Sequence, residues 1–354
     1  MPRHWSNRLK VVFRADASTE LGSGHISRCL ILAEKLHEVG AKVSFICRAD
    51  EGNLCHLLWT KGFVVTTIGR ITNFSMKTDM KETIGVLQMM EQVDWLIIDH
   101  YQLDYAWEHS MRPYVKKIMV IDDLANRKHD CDVLLDQTFG VQRYSYSTLI
   151  PESCQLLLGS SFALLKAPFK TYQKRVPPSF KTIRKVHVFF GGMDLKNFTY
   201  TYSLLLLENF PYLHLRIIVG KHYPYTDLLQ LLQEKYRERV QWEQDVPNMA
   251  ESLAECEVAL GAPGITTWER ACVGLPAAYL AIADNQINIV EDLDEKGLCV
   301  YLGQANSMKS DEFIHKFHRF IHNERKLGEL YKNSVRNVDG YGVERVIPHL
   351  LGKE

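Results

Sequence analysis

The feature that most constrains the fold is an alternation of short apolar runs with helix-length amphipathic segments. The runs at 10–15, 43–48 and 95–99 are rich in Val, Ile, Leu and Phe. Apolar strands that alternate with amphipathic helices are typical of a parallel sheet covered on both faces. The alternation stops in the segment 166–184 and starts again at Val186. The sequence therefore predicts an α/β fold with two domains, each built on a parallel sheet.

The predicted domain boundaries come from composition. Pro168, Pro177 and Pro178 lie among Lys, Arg, Thr and Ser residues, which is typical of a linker. We predict an N-terminal domain over residues 1–165, a linker over 166–184, and a C-terminal domain over 185–354 that ends in helices. Ligands of open parallel sheets bind at the carboxyl ends of the strands, so we expect the site in a crevice between the two domains.

Charge and cysteine content exclude several classes of function. The 42 Lys and Arg residues balance 42 Asp and Glu residues, which argues against a protein that relies on a basic surface to bind nucleic acid. Apolar runs stay below the roughly 18–20 residues of a membrane helix, so we expect no membrane insertion. The eight cysteines are scattered without a C-x-x-C pair, so we expect no metal site and buried thiols in a cytoplasmic protein.

A glycine-rich loop follows the first predicted strand and opens the first predicted helix, with the sequence Gly22-Ser23-Gly24-His25. Glycines let the backbone approach a ligand, and a helix N-terminus favours an anion. Ser27 interrupts the dinucleotide fingerprint, and the chain has no P-loop motif, so NAD-binding and ATP-hydrolysing functions lack their key residues. The helix N-terminus disfavours the imidazolium, which makes His25 a candidate general base for water. The alternative is a histidine ring that bonds only to local backbone.

Two later loops repeat the arrangement of a strand, a glycine and a helix. Gly191 and Gly192 follow one predicted strand, and Gly264 with Thr266 and Thr267 follows another. Their backbone amides and hydroxyls are candidates for holding a diphosphate. The alternative is a tight turn at the first loop and a helix N-cap at the second.

These motifs resemble a known family. The run Phe13 to Ser18 and the run Gly22 to Leu30 resemble the opening of the PseG family, the UDP-2,4-diacetamido-2,4,6-trideoxy-β-L-altropyranose hydrolases of pseudaminic acid biosynthesis. Further matches follow in the same order, at Leu96–Tyr101, Gly159–Leu164, Phe190–Asp194, Thr267–Ala271 and Asp284–Gln286. The resemblance covers about residues 10–303. The later motifs are also similar to those of GT-B glycosyltransferases of the MurG type and of relatives in spore-coat polysaccharide biosynthesis.

The resemblance implies a GT-B fold, in which two Rossmann-like domains with parallel sheets face each other across a cleft and UDP is held mainly by the second. It implies that His25 activates water at the anomeric carbon of a UDP-sugar and that UDP leaves, with neither metal nor cofactor. Tyr101 and Asn285 match residues that line the sugar and phosphate site, and Glu269 matches the acid that grips the ribose hydroxyls. Asp16, Ser23, Asp194 and Gln286 lie within the matched motifs and are carried with them as candidate substrate-binding residues.

The leading hypothesis is therefore a metal-independent UDP-sugar hydrolase whose partner is a small nucleotide sugar. A GT-B glycosyltransferase, in which an acceptor hydroxyl replaces water, is the first alternative. A nucleotide-sugar-binding protein without catalysis is the second.

Overall fold

Two parallel β-sheets, one in each half of the chain, organise the computed structural model. The structure describes residues 8–18, 21–22, 24–69 and 74–352. The chain divides into unit 1, which comprises Met1–Leu165 with Tyr341–Glu354, and unit 2, which comprises Lys166–Gly340.

The sheet of unit 1 has seven parallel strands in the order β3-β2-β1-β4-β5-β6-β7. Their bounds are β1 Lys10–Ala15, β2 Lys42–Arg48, β3 Val64–Ile68, β4 Val93–Asp99, β5 Val115–Ile121, β6 Val133–Asp136 and β7 Gln155–Leu158. The order reverses between β1 and β4, and such a switch point opens a crevice at the carboxyl ends of the strands. The residues that follow β1 and β4 therefore lie where a ligand is expected.

Four helices connect the first strands of this sheet: α1 Gly24–Glu38, α2 Cys55–Thr60, α3 Met76–Gln88 and α4 Tyr105–Met111. Ser75 accepts a hydrogen bond from the amide of Thr78, which fixes the start of α3. Asp104 likewise accepts from the amides at the start of α4. Buried apolar side chains cover both faces of the sheet, as the apolar strands predicted.

Unit 2 has six parallel strands in the order β10-β9-β8-β11-β12-β13. The strands are β8 Lys185–Phe189, β9 His214–Val219, β10 Val240–Gln244, β11 Val258–Gly261, β12 Ala277–Ala281 and β13 Val300–Gln304. The helices are α5 Ala167–Thr171, α6 Phe198–Asn209, α7 Thr226–Tyr236, α8 Met249–Ala254, α9 Thr266–Val273, α10 Ile287–Glu295, α11 Ser310–Ile321 and α12 Glu324–Asn337. Here the order reverses between β8 and β11.

Glycines allow close contacts at the carboxyl edge of the unit 2 sheet. A Cβ atom at Gly261 would lie 1.9 Å from the carbonyl oxygen of Phe189. A Cβ atom at Gly220 would lie 2.2 Å from the carbonyl oxygen of Gly192. The loops after β8, β9 and β11 therefore pack backbone against backbone, which only glycine permits.

The last helix, α13 Gly342–Leu351, corrects the predicted domain boundary. Its residues Val343, Val346, Ile347 and Leu350 are buried in the core of unit 1. The indole nitrogen of Trp95 in β4 donates a 2.9 Å hydrogen bond to the carbonyl of Leu350. The assignment of residues 341–354 to the C-terminal domain was therefore wrong, because apolar complementarity rather than position in the chain decides where an amphipathic helix packs.

The predicted linker is also part of a folded unit. Residues 167–171 form α5, where Phe169 is buried, and the amide of Lys174 donates to the carbonyl of Val273 in α9. Its prolines do not prevent this, because Pro168 lies in the first turn of α5, where its missing N–H costs no helical hydrogen bond.

Candidate functional site

In unit 1 the candidate base lies against a buried carboxylate. His25 lies in the first turn of α1 and is buried, and its Nδ1 is 2.6 Å from Oδ1 of Asp99, the last residue of β4. β1 pairs with β4 so that Ala15 lies opposite Asp99, which brings the loop after β1 over that carboxylate. An ionised carboxylate only accepts hydrogen bonds, so Nδ1 carries the hydrogen and Nε2 is the basic nitrogen. The pair has the geometry of a base with its orienting acid.

Arg28, one turn further along α1, holds Asp99 in place. Its Nε donates to Oδ2 of Asp99 at 2.6 Å, and its Nη2 donates to Oδ1 at 2.7 Å. Its remaining nitrogen, Nη1, donates to Oδ2 of Asp123 at 2.9 Å. Burial opposes the ionisation of Asp99, but the charge of Arg28 and the hydrogen bonds from Arg28 and His25 outweigh it and hold the pKa of Asp99 well below its usual range.

Tyr101 closes a ring of contacts around the base. Its aromatic ring meets the His25 ring edge-on, with 4.5 Å between the ring centroids. Its hydroxyl lies 3.5 Å from Oδ2 of Asp123. Each residue of this group therefore contacts the next, and we call the group the His25 cluster: His25, Asp99, Arg28, Asp123 and Tyr101. The structure brings together the predicted residues His25 and Tyr101, while sequence reasoning missed Asp99, Arg28 and Asp123 as site residues.

The glycine loop itself is only partly described. Gly22 has φ +75°, and its amide donates to the carbonyl of Ser18 at 2.9 Å. This left-handed backbone favours glycine and turns the chain towards α1, which begins at Gly24. Ser23 lies outside the described residues.

Asp16 has a structural environment. Both of its carboxylate oxygens bond to the guanidinium of Arg14, and Oδ1 also accepts from the amide of Arg48. Nε2 of His100 lies 3.2 Å from Oδ2. Asp16 is fully buried, and both of its carboxylate oxygens are used in this network.

Next to Asp123, the buried phenol of Tyr146 lies between the carboxyl groups of Asp122 and Asp136. The hydroxyl of Tyr146 lies 2.9 Å from Oδ2 of Asp122 and 2.9 Å from Oδ2 of Asp136. A phenol has one hydrogen, so Tyr146 can donate to only one of the two carboxylates at a time. Arg127 donates to Asp122 at 2.7 Å and keeps it ionised, whereas burial raises the pKa of Asp136 to about 6. Of the two carboxyl groups, Asp136 is therefore the one that takes up a proton first as the pH falls.

In unit 2 the predicted residues follow adjacent strands. Gly191 and Gly192 lie after β8, and Gly264 and Thr266 lie after β11, which pairs with β8. A Cβ atom at any of these three glycines would meet nothing within 4 Å, so the loops have open space beside them. Thr267 uses its hydroxyl within the loop, where it accepts a 3.1 Å bond from the amide of Gly264. The N-cap alternative is not observed for Thr266, which is the first residue of α9 rather than its cap.

Glu269 lies in the first turn of α9 and is half-buried. Burial raises the pKa of Glu269 to about 7, against the weaker lowering effects of Lys166 and Arg270. Its carboxyl group is therefore poised to change charge near neutral pH.

Two other predicted residues, Asp194 and Gln286, make hydrogen bonds within unit 2. Asp194 accepts hydrogen bonds from the amides of Phe198 and Thr199, so both of its oxygens cap α6. Oε1 of Gln286 accepts from the amide of Ile282 at 2.9 Å, within the loop after β12. Asn285 lies in the short 3₁₀ turn Asp284–Gln286, and its side chain lies outside the described atoms. Asp194 and Gln286 thus make hydrogen bonds to the backbone of unit 2 without a ligand.

The described part of the chain contains no group of three or more His, Cys, Asp or Glu side chains arranged to hold a metal ion. None of the helices in the described ranges combines the length and apolarity needed to cross a membrane.

Comparison with known proteins finds one relative that matches about half of the chain and others that match nearly all of it. No family model matches the chain. The UDP-2,4-diacetamido-2,4,6-trideoxy-β-L-altropyranose hydrolase of Campylobacter jejuni is 31% identical over 193 residues, which cover 53% of this chain and 62% of that protein. The spore coat polysaccharide biosynthesis protein SpsG of Bacillus subtilis is 24% identical over 339 residues, which cover 94% of this chain and 95% of that protein. MurG of Acinetobacter baumannii superposes with a TM-score of 0.65 at 14% identity, over 98% of this chain and all of that one.

The likeness to SpsG extends over nearly the whole chain, while the likeness to the hydrolase covers about half of it. The structural likeness to MurG concerns the fold, given its low sequence identity. Together with the two sheets described above, it confirms the predicted fold class: an α/β protein with two parallel-sheet Rossmann-like domains, whose structural neighbours are GT-B glycosyltransferases.

Proposed function

We propose that this protein is a UDP-sugar hydrolase, and the pairing of His25 with Asp99 carries the proposal. A hydrolase needs a base that accepts a proton from water, and this pair occupies Nδ1 and makes Nε2 of His25 the nitrogen for that role. The similarity to a named hydrolase over half of the chain supports the same reaction.

In the proposed reaction, water attacks the anomeric carbon while its proton passes to Nε2 of His25. The bond between the anomeric carbon and the β-phosphate oxygen breaks, and its electron pair leaves with UDP. Asp99 stabilises the imidazolium that forms, because its charge lies beside Nδ1. The products are the free sugar and UDP, and the step needs neither metal nor cofactor.

We assign nucleotide binding to unit 2. The amides after β8 and at the start of α9 are the proposed donors to the diphosphate, and Glu269 is the proposed acceptor from the ribose hydroxyls. The proposed substrate is a UDP-linked diacetamido-trideoxyhexose, by similarity to the C. jejuni hydrolase, in nonulosonate or related surface polysaccharide biosynthesis.

A glycosyltransferase is the second candidate, because the fold is that of GT-B glycosyltransferases. In that reaction a sugar hydroxyl replaces water and His25 accepts the proton of the hydroxyl instead. The chemistry of the base is the same, so only the identity of the nucleophile separates the two candidates.

The test is release of UDP from a panel of UDP-amino sugars without an acceptor. We expect release by the wild-type protein, and a reduction of roughly 10²–10⁴-fold in His25→Asn and Asp99→Asn with UDP binding retained. Asp94→Asn is the matched control, since Asp94 lies near the start of the same strand and pairs with Lys116. Release only with an acceptor would establish the transferase, and binding without release would establish a non-catalytic protein.

A further inference from the structure

Asp123 contacts Arg28, which binds Asp99, and Tyr101, whose ring packs against His25. Its Oδ2 accepts from Nη1 of Arg28 at 2.9 Å and lies 3.5 Å from the hydroxyl of Tyr101. Its side chain is 21% exposed, while Oδ1 is buried and has no hydrogen-bond partner among the described residues. A single oxygen thus connects the residue that holds Asp99 with the residue whose ring packs against His25.

The charged side chains of the His25 cluster sum to a net negative charge beside His25. Arg28 carries one positive charge between the carboxylates of Asp99 and Asp123. Nη2 of Arg28 also lies 3.5 Å from Nδ1 of His25, so the guanidinium repels an added proton on the ring. Asp123 offsets that repulsion, because it balances the charge of Arg28 and leaves the charge of Asp99 to act on His25.

We propose that Asp123 is a positioning residue that sets the proton affinity of His25 through Arg28 and fixes its ring through Tyr101. The inference rests on the proposed function for its role in turnover, but its electrostatic part concerns the protein alone. Among the described residues, the charged and titratable groups that contact the imidazole of His25 are Asp99 from β4, Arg28 from α1 and Tyr101 from the loop after β4. Cys29 of α1 contacts Asp99, and Asp123 of the loop after β5 contacts Arg28 and Tyr101.

Removal of the Asp123 charge has a defined consequence. In Asp123→Asn, Arg28 neutralises Asp99 without a counter-charge, so the imidazolium of His25 loses stabilisation. We expect the midpoint of the imidazole titration of His25, followed by NMR of its ring C–H protons and assigned with His25→Asn, to lie at lower pH in Asp123→Asn than in the wild type. The acidic limb of the kcat/KM profile should move by the same amount.

Two variants separate charge from packing. Tyr101→Phe removes the hydroxyl bond but keeps the charge of Asp123, so it should lower kcat and leave the titration midpoint of His25 in place. Asp123→Glu retains the charge and should restore the midpoint. Asp94→Asn removes a carboxylate from the opposite end of β4 and should change neither quantity.

An unchanged His25 midpoint in a folded Asp123→Asn protein would overturn the proposal. Asp123→Ala is the second variant, and if neither protein folds, Asp123 is a structural residue and the proposal is wrong. The NMR result is independent of catalysis. A shifted midpoint in a protein that releases no UDP would therefore support the positioning role and reject the hydrolase.

Discussion

Burial controls the charge of one residue in particular, Glu269. Burial raises its pKa to about 7, so at pH 6 the ligand-free protein holds mostly the neutral acid. An ionised carboxylate accepts hydrogen bonds from two hydroxyls more strongly than a neutral acid does. If Glu269 binds the ribose, ligand binding and deprotonation of Glu269 are therefore coupled.

We expect UDP affinity to rise as pH increases from 6 to 8, because the charged form of Glu269 becomes the resident form. Glu269→Gln should remove the part of this rise that comes from Glu269, and Glu269→Ala should weaken binding at pH 8 by about 1.5–3 kcal/mol. Calorimetry of UDP binding measures both.

Glu295→Gln, at the exposed end of α10, is the control for loss of one negative charge, and it also reports the titration of UDP itself. Equal pH dependence in the wild type and in Glu269→Gln would show that Glu269 does not hold the ribose.

At the scale of elements, the loops of unit 2 depend on backbone contacts that side chains would prevent. The carboxyl end of β11 touches that of β8 at Gly261, where Arg270 of α9 also donates to the carbonyl of Phe189 at 3.1 Å. At Gly264, three residues later, a Cβ atom would meet nothing within 4 Å. Gly261 therefore has no room for a side chain, whereas Gly264 has.

Gly261→Ala should destabilise unit 2 by roughly 1–3 kcal/mol or more, because its methyl group would overlap the carbonyl of Phe189. Gly264→Ala should stay within about 0.5 kcal/mol of the wild type, since nothing lies near its Cβ position. Urea unfolding of both variants measures the difference. Equal stability of the two would contradict the close packing of β8 and β11.

At the scale of the whole molecule, the chain returns to its first unit at the end. α13 contributes Val343, Val346, Ile347 and Leu350 to the core of unit 1, and Arg345 donates to the carbonyl of Ser161 at 2.6 Å. Burial of one such apolar side chain stabilises a fold by about 1.5–3 kcal/mol. Four of them are comparable to the total stability of a domain, about 5–15 kcal/mol.

A chain that ends at Gly340 should therefore lose stability in unit 1 and keep it in unit 2. Hydrogen exchange measured by mass spectrometry should show lost protection in β1 and β4 and retained protection in β8 and β11. A chain that ends at Gly352 keeps α13 and should behave like the full chain. Retained protection in β1 after truncation at Gly340 would show that α13 is dispensable.

Local pattern explains the parts of the fold that could be predicted. The alternation of apolar runs and amphipathic segments predicted two parallel sheets, and β1 occupies the predicted residues Lys10–Ala15. The start of α3 at Met76 follows from a local signal of the same kind, because the side chain of Ser75 caps the helix. Glycines next to a strand end also marked the edges at which both candidate sites lie.

Sequence by itself determined the two-sheet architecture, the glycine loops and the choice of His25 as candidate base, because strand and helix periods and backbone freedom are properties of neighbouring residues. Tertiary structure alone decided the partners of His25. Asp99 lies 74 positions from His25, and Asp123 lies 95 positions from Arg28, so their contacts depend on the pairing of β1 with β4 and of β4 with β5. It also decided the hydrogen-bond partners of Asp16 and Asp194 and the place of α13 in unit 1, because a buried charge or an apolar face takes the partner that packing brings to it.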